Sequence, residues 1–195
     1  MALGDDYISV ADFKAYVKIE GSTQYDELLE DAAGSASREV ERFCHRQFND
    51  SGAASQREYE PISSEVLIVD DFSTSVGLIV EVSGTEWTAD QYSLEPKNGV
   101  MQGVPGWPYW LIRAKAGNCF PIDGTDVKVT ARWGWTAVPE PVRQATKIIA
   151  AMNFQIKDAP LGVAGMGEFG MMRVQDSRTA ASKLKAYVRE GVLVE

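Results

Sequence analysis

The stretch from Gln24 to Phe48 constrains the fold most. Leu28, Ala32, Ala36 and Val40 recur every four residues, and Leu29, Ala33, Phe43 and Cys44 widen that row into a stripe. The spacing is that of the apolar face of an α-helix. Charges are sorted along it, with Asp26, Glu27, Glu30 and Asp31 in the first turns and Arg42 and Arg46 in the last. Each group opposes the end charge of the helix dipole for a few tenths of a kcal/mol, roughly. The middle, Ala32-Ala33-Gly34-Ser35-Ala36-Ser37, is all small. Gly34 costs about 1 kcal/mol relative to alanine in a helix interior. Small residues let another helix approach closely. Ala33, Gly34 and Ser37 are therefore candidate subunit-contact positions, with an ordinary crossing within the chain as the alternative.

Ser9 to Asp12 fits a capping box, and Val10, Phe13 and Val17 follow at helical spacing. The pattern predicts a short helix from Val10 to Lys18, ended by Gly21-Ser22, with Thr23 able to cap the long one. From Gln56 to Trp135 the texture changes to short runs rich in β-branched and aromatic residues, separated by turn clusters such as Pro96-Lys97-Asn98-Gly99. Val127 to Trp133 is the clearest strand, because Val127, Val129, Ala131 and Trp133 alternate with Lys128, Thr130 and Arg132. Pro139-Glu140-Pro141 opens a further helix to about Lys157, with Val142, Ala145, Ile149, Met152 and Ile156 on one face. Leu161 to Val174 holds four glycines and three methionines and reads as a mobile loop. Asp176 or Ser177 can cap a last helix ending at Gly191. Its Ala180, Leu184, Tyr187 and Val188 form one face, and Arg178, Lys183, Lys185 and Arg189 make the other basic. The expected fold is α+β, a small bundle of about four helices with an inserted antiparallel β-sheet or small barrel. Its expected parts are residues 1–55, 56–136 and 137–195.

The totals exclude several function classes. The longest apolar runs span only a few residues, too short for a transmembrane helix. Met1 to Val10 has neither the basic nor the apolar region of a signal peptide, so a cytosolic protein is expected. Two cysteines and one histidine supply no disulfide scaffold and no zinc ligand set. A net charge of −9 argues against gripping a phosphate backbone.

Four constellations invite chemistry. Gly165-Met166-Gly167-Glu168-Phe169-Gly170 spells GxGxxG, but no strand precedes it and no helix opens at it, so a loop fits better than a nucleotide site. Cys44 and His45 are helix neighbours about 100° apart and do not face each other. Asp70-Asp71, and Asp123 with Asp126, match no calcium loop and read as turn residues. Trp107, Tyr109 and Trp110 lie among Pro105 and Pro108. Buried, they make a small β core. Exposed, they are candidate partner-contact residues, and a carbohydrate- or peptide-binding module is the alternative function. No catalytic residue, cofactor site or metal site is assigned.

Several stretches, in order, resemble the head–tail connector (adaptor, or head-completion) family of tailed bacteriophages. They are Tyr7 to Lys14, the helix end Arg46-Gln47-Phe48, Arg57-Glu58-Tyr59, Val129 to Trp135 running into Val138-Pro139, and Leu184 to Arg189. Compact members are mostly helical, and the roughly 80-residue β segment departs from them. The resemblance implies a non-enzymatic virion protein, assembled in the host cytoplasm. Its copies would form a ring, typically of twelve, beneath the portal protein. That ring extends the DNA channel without sequence-specific binding and offers a surface to stopper or tail proteins; no membrane is involved. Twelve copies at −9 carry on the order of a hundred negative charges, which repel DNA from the channel wall. C-terminal segments of the family reach the portal. The matching candidates for a portal interface are Arg178, Lys185, Arg189, Val192, Leu193, Val194 and Glu195.

Overall fold

The computed structural model describes residues 4–115, 117–156 and 177–189. They fall into two compact units. The first takes the chain up to Phe48 and again from Val138, and the second holds Asn49–Ala137.

The first unit contains four helices among the described residues. α1 spans Val10–Val17, α2 Asp26–Cys44, α3 Glu140–Ile156 and α4 Arg178–Leu184. The capping box forms: the Asp12 N–H donates to Ser9 Oγ at 3.1 Å, and Ser9 Oγ donates to Asp12 Oδ2 at 2.9 Å. Lys18 and His45, both in the left-handed region, end α1 and α2. α2 is shorter than expected at both ends. Thr23 serves it through its backbone carbonyl, which accepts from the Asp26 N–H, rather than through its hydroxyl.

The buried face of α2 is Leu29, Ala32, Ala33, Ala36, Ser37, Val40 and Cys44, and Leu28 is 47% exposed. The stripe is thus turned slightly from the expected row, toward Leu29. α2 packs chiefly on α3, and α3 also carries α4. α3 buries Val142, Ala145, Thr146, Ile149 and Ala150. Two edge-on aromatic series close the unit: Tyr7 on Phe48 on Tyr187, and Phe13 on Phe154 on Tyr25.

The strands of the second unit all pair antiparallel. Its strands are β1 Ser55–Tyr59, β2 Val66–Phe72, β3 Ile79–Val82, β4 Thr85–Glu86, β5 Tyr92–Glu95, β6 Val100–Met101, β7 Val104–Pro105, β8 Tyr109–Ala114 and β9 Val127–Ala131. They form one sheet in the order β1-β9-β3-β4, another in the order β2-β8-β5, and the separate hairpin β6-β7, with no closed barrel. β9 shows the expected alternation, with Val127, Val129 and Ala131 buried. Inward residues of both sheets, among them Leu67, Val69, Val80, Ile112 and Val129, share one core. Trp87 stacks on Phe120 in that core at 4.9 Å.

Asp70 and Asp71 are strand residues, not turn residues. β2 shifts register against β8 between Ile68 and Phe72, and this irregularity accommodates the two carboxylates. Asp70 pairs with Arg57 and accepts from Tyr59 Oη at 2.8 Å. Asp71 is buried and accepts from Trp135 Nε1 at 2.9 Å. Asp123 does sit in a turn, where it accepts from the Thr125 N–H at 3.0 Å.

Candidate functional site

The small patch on α2 faces the start of its own chain. Ala33 and Ser37 are buried. Ser37 Oγ donates to Ala33 O at 2.8 Å and accepts from the Tyr7 N–H at 3.0 Å. A Cβ placed on Gly34 would meet Asp6 Oδ1 at 3.4 Å. Arg38 reaches Asp5 O at 3.2 Å and lies over the Tyr7 ring. Tyr7 Oη donates to Glu41 Oε1 at 2.7 Å and accepts from the Phe48 N–H at 3.0 Å. Burial, together with the Glu41 carboxylate, raises the Tyr7 pKa, so the phenol remains a donor. In the single chain, residues 5–7 therefore occupy the close approach that the small residues permit.

The aromatic cluster divides. Trp107 is 9% exposed and packs on Trp135 at 5.2 Å, while Tyr109 tilts against Phe72. Tyr109 and Trp110 are half-buried. Trp107 is thus buried, while Tyr109 and Trp110 keep part of their surface exposed.

The last helix shows its basic side. Ser177 is the N-cap, accepting from the Ala180 N–H at 3.3 Å, and Ala180 and Leu184 face inward. Arg178 and Lys185 are exposed and seven residues apart, so they share one face. Lys183 donates to Gln144 Oε1 at 2.8 Å. The backbone turns extended at Val188, earlier than the expected stop at Gly191. Arg189 therefore lies beyond the helix, its N–H donating to Cys44 O at 2.9 Å. Val192, Leu193, Val194 and Glu195 lie outside the described residues, as does the GxGxxG stretch.

Groups of ordinary catalytic interest are held in structural roles. Burial pushes the Cys44 thiol up to about 12, which leaves it protonated and unreactive at neutral pH. His45 is the left-handed cap of α2 and is exposed. Among the described residues no group of three or more His, Cys, Asp or Glu side chains could hold a metal ion, and no helix is long and apolar enough to cross a membrane. An open groove along β5 was not evident from the sequence, since residues from three separated strands, β4, β5 and β8, and the turns beside them line it.

No protein-family model matches the sequence, and no curated protein matches it. Solved structures do. The chain is similar to one in the neck of an empty GTA particle computed with C6 symmetry, at 18% identity and a TM-score of 0.57, covering 96% of this chain and 92% of that one. It is also similar to a chain in the virion of a native gene transfer agent (GTA) particle, at 17% identity and a TM-score of 0.51, with the same coverage. At such identities the likeness is one of fold, and it extends over the helices and the β segment alike.

Proposed function

We propose that the chain is a structural virion protein of a tailed-phage-like particle, a subunit of the neck where head and tail meet. The observation that carries this is the fold shared, over 96% of the chain, with a chain in the neck of a GTA particle. That neck was computed with sixfold symmetry, which supports copies repeating about an axis. Contacts between unlike surfaces repeat into a closed ring when the rotation closes.

In the finer form of the proposal, the ring docks beneath the portal protein and extends the DNA channel. It offers its far side to stopper or tail proteins. The exposed pair Arg178 and Lys185 is the candidate portal-facing surface, as a basic patch suited to an acidic one. The net charge of −9 suits a channel wall that DNA passes without sticking. No catalytic step is involved.

Purified particles test the virion role. Mass spectrometry should find the chain as a stoichiometric component, and antibody labelling should mark the head–tail junction. Its absence from intact particles would overturn the proposal.

A further inference from the structure

The packing of α2 on α3 holds a carboxylate in surroundings that do not suit its charge. Ala36 and Val40 of α2 are buried, as are Ile149 and Ala150 of α3. Glu39 follows Ala36 by three residues and Asn153 follows Ile149 by four, so each stands one turn along from a buried apolar side chain. The two meet, Asn153 Nδ2 donating to Glu39 Oε1 at 3.5 Å, the long limit of a hydrogen bond. Glu39 Oε2 and Asn153 Oδ1 are buried and have no hydrogen-bond partner among the described residues. Both are acceptors while the carboxyl is ionised. A buried acceptor left without a donor carries its full desolvation cost. Exchanging Oδ1 and Nδ2 leaves the same count, since an ionised carboxylate has no donor to offer the amide oxygen. Burial, first, pushes the Glu39 carboxyl above its ordinary value, against the Asn153 amide and Arg42, which pull it down. Arg42, three residues along α2 and exposed, is the one charged group acting on Glu39 among the described residues.

We propose that Glu39 and Asn153 form a proton-operated clasp between α2 and α3. In its closed state Glu39 takes one proton from solvent on Oε2 and loses its charge. That O–H donates to Asn153 Oδ1, while Asn153 Nδ2 donates to Glu39 Oε1. Acid and amide then face each other with one donor and one acceptor apiece, and the single proton satisfies both of the atoms left over in the ionised state. In the open state the carboxylate keeps only the long Nδ2 bond. A folded-state pKa above the unfolded one contributes stability that is fully present below the unfolded value of about 4.3 and is lost as pH rises through the folded value. The helical unit is therefore fastened in acid and relaxed at neutral pH. α3 also carries α4, with its exposed Arg178 and Lys185, so the clasp bears on how firmly that basic face is held. The clasp lies within one chain and does not depend on the neck assignment.

Glu39→Gln tests this in the full chain, because glutamine offers a donor and an acceptor in the same two places at every pH. In urea unfolding at pH 7 the variant's unfolding equilibrium constant should fall about fivefold or more below the parent's, and the two should converge near pH 4. A variant no more stable than the parent at pH 7 would overturn the proposal, and is what a carboxylate served by a bridging water predicts. A gain that persists unchanged at pH 4 would overturn it as well. Nuclear magnetic resonance of the parent supplies a second readout that needs no unfolding. The Glu39 carboxyl carbon and the Asn153 side-chain amide protons should shift together on one titration, with its midpoint above about 4.3. A midpoint at or below that value, or amide protons that do not follow it, would sink the clasp.

Discussion

At Gly134 the backbone φ is +100°, and a Cβ would stand 1.7 Å from Asn49 O. Its own N–H donates to Asp71 O. Only glycine fits between these backbone segments, so Gly134→Ala should cost about 3 kcal/mol or more in urea unfolding. Gly52, also at positive φ (+73°), meets open space, and Gly52→Ala should cost about 1 kcal/mol. Equal losses at the two sites would contradict the close approach. Nearby, Asp50 accepts from Arg132 Nε at 2.9 Å and from the Gly52 N–H at 2.9 Å. The Arg132 guanidinium, first, and then the backbone donor hold its carboxyl below the usual carboxylate range. A depressed folded-state pKa contributes stability above the unfolded value of about 3.9 and loses it as pH falls through the folded value. Asp50→Asn should therefore destabilise at pH 7, and the gap to the parent should close as pH drops below about 4. A gap unchanged at low pH would mean that the pair does not act through charge.

Among the elements, α2 carries the sharpest test. A Cβ at Gly34 would make an ordinary contact with Asp6, so Gly34→Ala should raise the stability of the isolated chain by about 0.5–1 kcal/mol. Sedimentation of the same variant separates the two uses of the patch. Unchanged self-association leaves it to residues 5–7, and weakened self-association puts a neighbouring subunit there. The helices and β9 were legible because their patterns are local: a 3.6 period in α2 and α3, a strict alternation over Val127–Ala131. The rotation of α2 was not, since a row of alanines and serines does not say which side is deeper; Leu28 points out and Leu29 in. The length of β2 was hidden because Asp70 and Asp71 look like turn residues until Arg57, Tyr59 and Trp135 are in place. Hairpin β6-β7 has two residues per strand and turns through Gln102 and Gly103 at positive φ, too short a signal for periodicity. Of the candidate surfaces, the basic face of α4 was readable from spacing. The cover over Gly34 and the groove along β5 depend on distant pairings that no local pattern records.

For the molecule as a whole, the two units divide the labour differently. The first offers charged helix faces, with the basic pair Arg178 and Lys185 outward. The second offers strand edges and a groove. Among the described residues, Cys44 and Asp71, which could serve chemistry elsewhere, are buried in structural packing. Neck assembly around the portal is the central claim, and electron microscopy of the purified portal protein mixed with this chain tests it most directly. The expected result is an added ring of density on one face of the portal, following its rotational symmetry and weakened by Arg178→Glu with Lys185→Glu. Bare portal at saturating concentration of a folded chain would contradict it.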